Sequence, residues 1–398
     1  PSFDPTSKRV AYVYPRDGVP ANVREVYVRD LQTGANESWT RGLDRHIWGA
    51  RWLGDGSLVV FASDELRDGC WRVTGAGSWE PVPLGEVHSV GGYDLSQDGA
   101  LLFVGSGIHR PGELYYKPSL AAVPIELTSF NEFIGERKQG VREGFVWEST
   151  DGFRPNGVIT FPPGFDPGKK HPLVLLVHGG PTASSGLSFD STAQLMAAKG
   201  WVVFQPNYRG SENLGNAFQS AIADDAAEGP GEDVISGVRA LQKKSYIDPD
   251  AIAVSGWSYG GWMTAWLIGR YPEVWTAAVA GAAPVDFTDM YSLSDLNRMR
   301  RHAITDSPYV GNNLEEAYKQ SPIIHFPRLR TPTLVLSVTG DYRVTVTGSY
   351  KLFSALRDNG VPVEFIAYPG RGHFPSDPVQ RQDVTIRWLG WLEKYLGG

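Results

Sequence analysis

The chain has a single cysteine, Cys70, in 398 residues. An intrachain disulfide is therefore impossible, and so is a zinc site built on cysteines. Both absences fit a reducing compartment, and the expectation is a cytoplasmic protein. No run of 18 apolar residues occurs, so no membrane span is expected. Positive charge is in deficit. The chain has 37 Lys and Arg against 44 Asp and Glu, a formal net charge of −7, which argues against a general nucleic-acid binder. No metal, nucleotide or flavin motif stands out. Gly229-Pro230-Gly231 reads as a helix lead-in and does not match a phosphate loop, so no cofactor is expected. Residue 1 is Pro and not Met, as expected of a processed or trimmed end, and a removed signal peptide stays open.

What remains is ordinary globular material, 41% hydrophobic and 20% charged, with room for two or three domains. Its grammar changes along the chain. Residues 1–130 read as short strands and turns. Three strands repeat one pattern, a turn followed by an apolar run: Asp4-Pro5-Thr6-Ser7 before Lys8, Gly54-Asp55-Gly56 before Ser57, and Gln97-Asp98-Gly99 before Ala100. Aligning Ser7, Gly56 and Gly99 gives spacings of 49 and 43 residues, a period that suits four-stranded propeller blades. A β-sandwich with Asp-Gly hairpins is the plainer alternative. At roughly 45 residues per blade the region holds about three blades, where a closed propeller needs at least four. Either further blades lie upstream or the domain is a reduced, open form.

Residues 131–398 alternate strand and helix. Pro172 to Val177 is a continuous apolar run, as expected of a strand buried on both faces. Further strands are expected at Trp201 to Phe204, at Ala251 to Val254 and at Ala277 to Ala280. Two more follow at Thr333 to Val338 and Val363 to Ala367. Helices are expected near 191–199, 231–244, 347–359 and 379–395. Glu143 to Phe161 reads as a leading hairpin turning at Asp151-Gly152. Such alternation predicts an α/β-hydrolase-type, mostly parallel sheet with helices on both faces.

Gly256-Trp257-Ser258-Tyr259-Gly260 carries the chemistry. It reads G-x-S-x-G between an apolar strand and a helix-compatible run, the pattern of a nucleophile elbow. Small flanking residues are needed because the backbone crowds there. A serine hydroxyl needs a base, and the base needs an orienting acid. In such a sheet the chain order is Ser, acid, His. His373, in Gly370-Arg371-Gly372-His373 just past a strand, is the expected base. His302 and His325 lie downstream too, but neither follows a clear strand. Asp341, after the run Thr333 to Val338 and the turn Thr339-Gly340, is the expected acid, with Asp286 as the alternative. The Tyr259 N–H and the Gly180 N–H are the expected oxyanion donors, with Gly179 the alternative to Gly180. His178 reads as a residue that braces their loop.

Together His178-Gly179-Gly180-Pro181, Pro206-Asn207-Tyr208-Arg209-Gly210-Ser211, Gly256 to Gly261, Gly340-Asp341-Tyr342-Arg343-Val344 and Gly372-His373 resemble the prolyl oligopeptidase family (S9) of serine peptidases, and within it the acylaminoacyl-peptidase-like branch. The resemblance covers residues from about 140 to 398. It implies Ser258, Asp341 and His373 as a triad, Gly180 and Tyr259 as oxyanion donors, and an N-terminal β-propeller. The family's propeller is usually much longer and screens out large substrates, so size selection is in question here. Thr345 replaces a proline that often follows the Asp-x-Arg-Val motif. No match appears to the paired glutamates by which dipeptidyl-peptidase relatives hold a substrate amine.

Other residues have plainer readings. Arg298, Arg300 and Arg301 read as a solvated basic face before a carboxylate clamp. Arg209 reads as a structural brace held by an internal carboxylate. Trp262 and Trp266, four apart, share a helix face and read as core; like Trp257 they are the minority candidates for an apolar substrate pocket. The expected activity is cleavage of short peptides through an acyl-enzyme. A small-molecule esterase or amidase is the near rival, and a non-catalytic binding protein the distant one. The expected partner is a short peptide or small acyl substrate. A short propeller would leave apolar surface that a second subunit could cover, so a homo-oligomer is an open expectation.

Overall fold

The computed structural model describes residues 1–296 and 307–397. By Cα packing the chain divides into two compact units. One holds Pro1–Gly144 with Gly186–Ser191 and Ser211–Ser220; the other holds Phe145–Ser185, Thr192–Gly210 and Ala221–Gly398.

The first unit contains three four-stranded antiparallel sheets, each built from consecutive strands. They run from Ser2 to Ser38, His46 to Pro81 and Ser89 to Glu126. Alternation of side chains explains how they stack. In the strand Leu58–Asp64, Leu58, Val60 and Ala62 join a core with Val26 and Val28 of the first sheet and with Trp39 just after its last strand. Val59 and Phe61 point the other way, into a core with Val90, Leu101 and Phe103 of the third. The repeated turn is one structure used three times. Ser7, Gly56 and Gly99 all have positive φ, at 57°, 81° and 92°. Each donates its N–H to the residue three before it, Asp4, Leu53 and Ser96.

The second unit is built on an eight-stranded sheet. Its order is Arg142–Val146, Asn156–Thr160, Val202–Asn207, His171–Val177, Ile247–Trp257, Ala277–Gly281, Thr333–Gly340 and Val363–Arg371. From Val202–Asn207 onward every pairing is parallel. The leading hairpin turns at Asp151 and Gly152, both with positive φ. Helices cover both faces. Ile252 and Val254 pack into a core with residues of Glu228–Gln242, Tyr259–Arg270 and Thr347–Asp358. Ala253 faces Met196, Trp388 and Trp391 on the other side. Register then decides where the chemistry lies. Val177 is opposite Gly256, Trp257 opposite Gly281, and Gly340 opposite Arg371. The loops after these strands therefore emerge at one edge, the carboxyl edge where open α/β sheets bind ligands.

Candidate active site

Ser258 lies between the strand Ile247–Trp257 and the helix Tyr259–Arg270, at φ 64° and ψ −123°. A non-glycine residue in that region costs roughly 1–3 kcal/mol, which the surroundings must offset. Its N–H donates to Gly281 O at 2.9 Å, and its carbonyl accepts from Trp262 N at 2.9 Å. The glycines are steric necessities. A Cβ at Gly256 would lie 2.5 Å from the Gly260 carbonyl carbon and 2.7 Å from Val177 O. One at Gly260 would collide with Val177 O, and one at Gly261 with Gly281 O. Tyr259 is the first residue of the helix, so its N–H lies ahead of the helical ladder.

Asp341 and His373 meet two strands away. His373 Nδ1 donates to Asp341 Oδ2 at 2.7 Å. The other oxygen, Oδ1, accepts from Arg343 N at 2.8 Å and Val344 N at 3.0 Å. Asp341 is 3% exposed, so these three donors replace the water it has lost. A carboxylate only accepts, so the shared hydrogen belongs to Nδ1 and the neutral ring leaves Nε2 as a base. That Nε2 is shielded from solvent and has no hydrogen-bond partner among the described residues. The His373 loop is tied back to the elbow, because Trp257 Nε1 donates to His373 O at 2.9 Å. The Trp257 ring also meets Phe374 edge-on at 4.6 Å. This tie was not foreseen; the only signal was the adjacency of Trp257 to Ser258.

The loop after the strand His171–Val177 approaches the serine through its backbone. A Cβ built on Gly179 would lie 3.4 Å from Ser258 Cβ and 3.9 Å from Ser258 Oγ. Gly180 has φ 116°, and a Cβ there would lie 2.5 Å from Thr182 N, so only glycine fits. His178 stacks flat on Tyr208, with centroids 4.4 Å apart. Burial pushes its imidazole down to about 4, against the opposing hydrogen bond to Gly179.

The remaining candidates are engaged elsewhere. Asp286 caps the helix Phe287–Leu293 through Thr288 N and forms an ion pair with Lys351 Nζ at 2.7 Å. Burial opposes its charge, yet Lys351 and Thr288 hold it below the ordinary carboxylate range. His325 lies edge-on to Trp266, and burial lowers it to about 4. Arg209 is clamped by the fully buried Asp233, through Nε at 2.9 Å and an NH2 nitrogen at 2.8 Å, and reaches Asp151 at 3.2 Å. It thereby pins the turn of the leading hairpin. Trp262 and Trp266 are buried in the core and stack on each other. His302, Arg298, Arg300 and Arg301 lie outside the described residues. Among the described residues no cluster of three or more His, Cys, Asp or Glu is arranged to hold a metal ion. No helix among them is long and apolar enough to cross a membrane.

The parallel sheet, its two helical layers and the strained serine turn define the second unit as an α/β-hydrolase domain. The prolyl oligopeptidase family matches residues 187–398, and the chain belongs to that family. It is 26% identical over 404 residues to dipeptidyl-peptidase 5 of Porphyromonas gingivalis, covering 100% of this chain and 59% of that one. Its fold is similar to that of the acylaminoacyl peptidase of Pyrococcus horikoshii, with a TM-score of 0.86 and 22% identity over 98% of this chain and 62% of that one. It is also similar to an acylaminoacyl peptidase in complex with Z-Gly-Gly-Phe-chloromethyl ketone, with a TM-score of 0.87, 23% identity and the same coverage. The chain thus spans about three fifths of the length of the relatives it matches.

Proposed function

We propose that the protein hydrolyses peptide bonds of short peptides through Ser258, Asp341 and His373. The observation that carries this reading is the Asp341–His373 hydrogen bond at the sheet edge where the elbow also emerges. His373 Nε2 accepts the Ser258 proton, and Oγ attacks the substrate carbonyl. The N–H groups of Tyr259 and Gly180 stabilise the tetrahedral oxyanion. His373 then gives its proton to the leaving amine, the acyl-enzyme forms, and water resolves it by the same steps. Asp341 holds the ring with Nδ1 protonated and stabilises the imidazolium. Family membership and a related fold in complex with a peptide chloromethyl ketone support a peptide as the acyl donor.

The three small sheets are proposed as propeller-type blades, with 1–130 and 131–398 as the two domains. Limited proteolysis with mapping of the cut sites tests that division. The single cysteine keeps a reducing, cytoplasmic setting as the working proposal, tested by fractionation.

The function is tested by turnover of matched aminoacyl esters, anilides and peptides of increasing length, with Ser258→Ala beside the wild type. The substitution is expected to lower kcat by roughly 10⁴-fold or more and to abolish fluorophosphonate labelling. Full activity in Ser258→Ala would overturn the reading, and an ester-only profile would move it to a small-molecule esterase.

A further inference from the structure

The carboxylate of Asp341 is held by its own loop. Its Oδ1 accepts from Arg343 N at 2.8 Å and from Val344 N at 3.0 Å. Each of these N–H groups belongs to a peptide whose carbonyl is held in turn. The Tyr342 carbonyl accepts from Asp295 N at 3.0 Å. The Arg343 carbonyl accepts from Ser294 Oγ at 2.8 Å. The Ser294 hydroxyl has one hydrogen, which that bond uses, and its oxygen accepts from Leu296 N at 3.1 Å. The Arg343 side chain closes on the same segment, with Nε 2.7 Å and an NH2 nitrogen 3.1 Å from the two Asp295 oxygens.

Peptide geometry joins the two sets of bonds. Both peptides are trans, and a trans peptide is planar with its C=O and N–H antiparallel. Fixing the Tyr342 carbonyl therefore fixes the Arg343 N–H, and fixing the Arg343 carbonyl fixes the Val344 N–H. Tyr342 and Arg343 are exposed. Without Ser294 and Asp295 their carbonyls would be free to turn to water, carrying both N–H groups away from Oδ1. The anchor is itself held. Ser294 is buried and directly follows the helix Phe287–Leu293, whose Phe287 and Met290 lie in the core and whose first turn Asp286 caps. We propose that Ser294 and Asp295 are positioning residues for the triad acid. They hold, through two peptide planes, the donors on Oδ1 that aim Oδ2 at His373 Nδ1, 2.7 Å away. The inference rests on the reading of Asp341 and His373 given above. It deepens that reading, because Ser294 and Asp295 act through the backbone of Tyr342 and Arg343 and not on the reacting atoms.

The test compares Ser294→Ala, Ser294→Thr, Asp295→Ala and Asp295→Pro in the full chain, with Asp341→Asn as the reference. The readouts are kcat, KM and the low-field proton resonance of the hydrogen between His373 Nδ1 and Asp341 Oδ2. Ser294→Ala is expected to lower kcat about tenfold, the rate equivalent of one hydrogen bond, with KM within about threefold. Ser294→Thr keeps the hydroxyl and should recover most of that loss. Asp295→Ala keeps the N–H and removes only an exposed ion pair, so a loss of about twofold is expected. Asp295→Pro removes the N–H as well and should cost about tenfold more. Ser294, at φ −86° and ψ 147°, already has the extended backbone that a following proline requires. The low-field resonance should broaden in Ser294→Ala and Asp295→Pro and persist in Ser294→Thr. Ser294→Ala carries the test if Asp295→Pro does not fold. Unchanged kcat in Ser294→Ala would overturn the proposal, as would equal losses in the Ala and Thr variants. Asp341→Asn separates the two levels. If it costs less than about tenfold, the reading of Asp341 as the acid fails and this proposal fails with it. If it costs roughly 10³-fold or more while Ser294→Ala costs nothing, this proposal alone fails.

Discussion

Two carboxylate environments, one buried in the hydrolase unit and one half-buried in the β unit, differ in how many donors reach them. At the sheet edge of the hydrolase unit, Asp341 is almost fully covered, and three N–H groups converge on its two oxygens. In the β unit, Asp68 and Glu212 lie close enough to repel one another. Asp68 accepts from Val90 N and Trp48, and Glu212 from Ser63 Oγ. Burial pushes these two up to about 6 and about 7. The same side-chain chemistry thus serves opposite ends. At Asp341 three donors converge and one of them is an imidazole, while burial with fewer donors makes Asp68 and Glu212 hold their protons more tightly.

The largest way to break this contrast is at the anchor. Asp341→Asn keeps the shape but presents an amide to His373, which favours the wrong tautomer. A fall in kcat of roughly 10³- to 10⁴-fold is expected, with little change in melting temperature. A loss under tenfold would mean that another group orients the ring. The next effect is on stability. Asp233 is fully buried against Arg209, itself 4% exposed. Asp233→Ala strands that guanidinium with the exposed Asp151 as its one charged partner among the described residues. The expected cost is about 3–5 kcal/mol, read by denaturant unfolding of the hydrolase unit. A cost below 1 kcal/mol would show that the pair contributes nothing beyond what its burial removes.

Much of this was legible because chain geometry leaves its mark on residue type. The elbow needs glycine where a Cβ would strike Val177 O, and G-x-S-x-G records that need. The blade-like repeat was legible for a related reason, since Ser7, Gly56 and Gly99 occupy one left-handed turn position. The parallel strands announced themselves by unbroken apolar runs, which two-sided burial requires. Contacts between side chains and distant backbone left no such mark. Trp257 donating to His373 O spans 116 residues, and nothing in either local sequence encodes it. The sequence marks His178 as bracing its loop, but its partner Tyr208 follows the next strand along the chain, so the contact depends on three-dimensional placement. The grouping of Ser211–Ser220 with the β sheets was likewise invisible, because it rests on single polar contacts such as Gln219 to His46.

The smallest expected effect sharpens the contrast from the β-unit side. Glu212 faces Ser63, His46, Asp68 and Arg24. His46 Nε2 lies 3.8 Å from Glu212, but burial lowers the imidazole to about 4 and Gln219 occupies its Nδ1. Near neutral pH the ring is neutral and the acid is about half protonated, so the two do not meet as an ion pair. The sign of the pH effect follows. Between the ordinary 4.5 and about 7 the unfolded chain releases the Glu212 proton while the folded chain keeps it. The folded state binds more protons there, so this contribution to stability falls as pH rises through that window. Asp68 acts in the same direction between 3.8 and about 6. His46 opposes both, because below its ordinary 6.5 the unfolded chain takes up a proton that the folded ring refuses. The wild-type profile is thus partly cancelled, and the difference between variants is the informative quantity. Glu212→Gln keeps a polar partner for Ser63 without titrating. Relative to wild type it should gain roughly 1–3 kcal/mol on going from pH 4.5 to pH 7.5, measured as the shift in unfolding of the β unit. A difference that stays constant across that range would mean that Glu212 is already ionised in the fold, and that Ser63 and Arg24 offset the burial that opposes its charge.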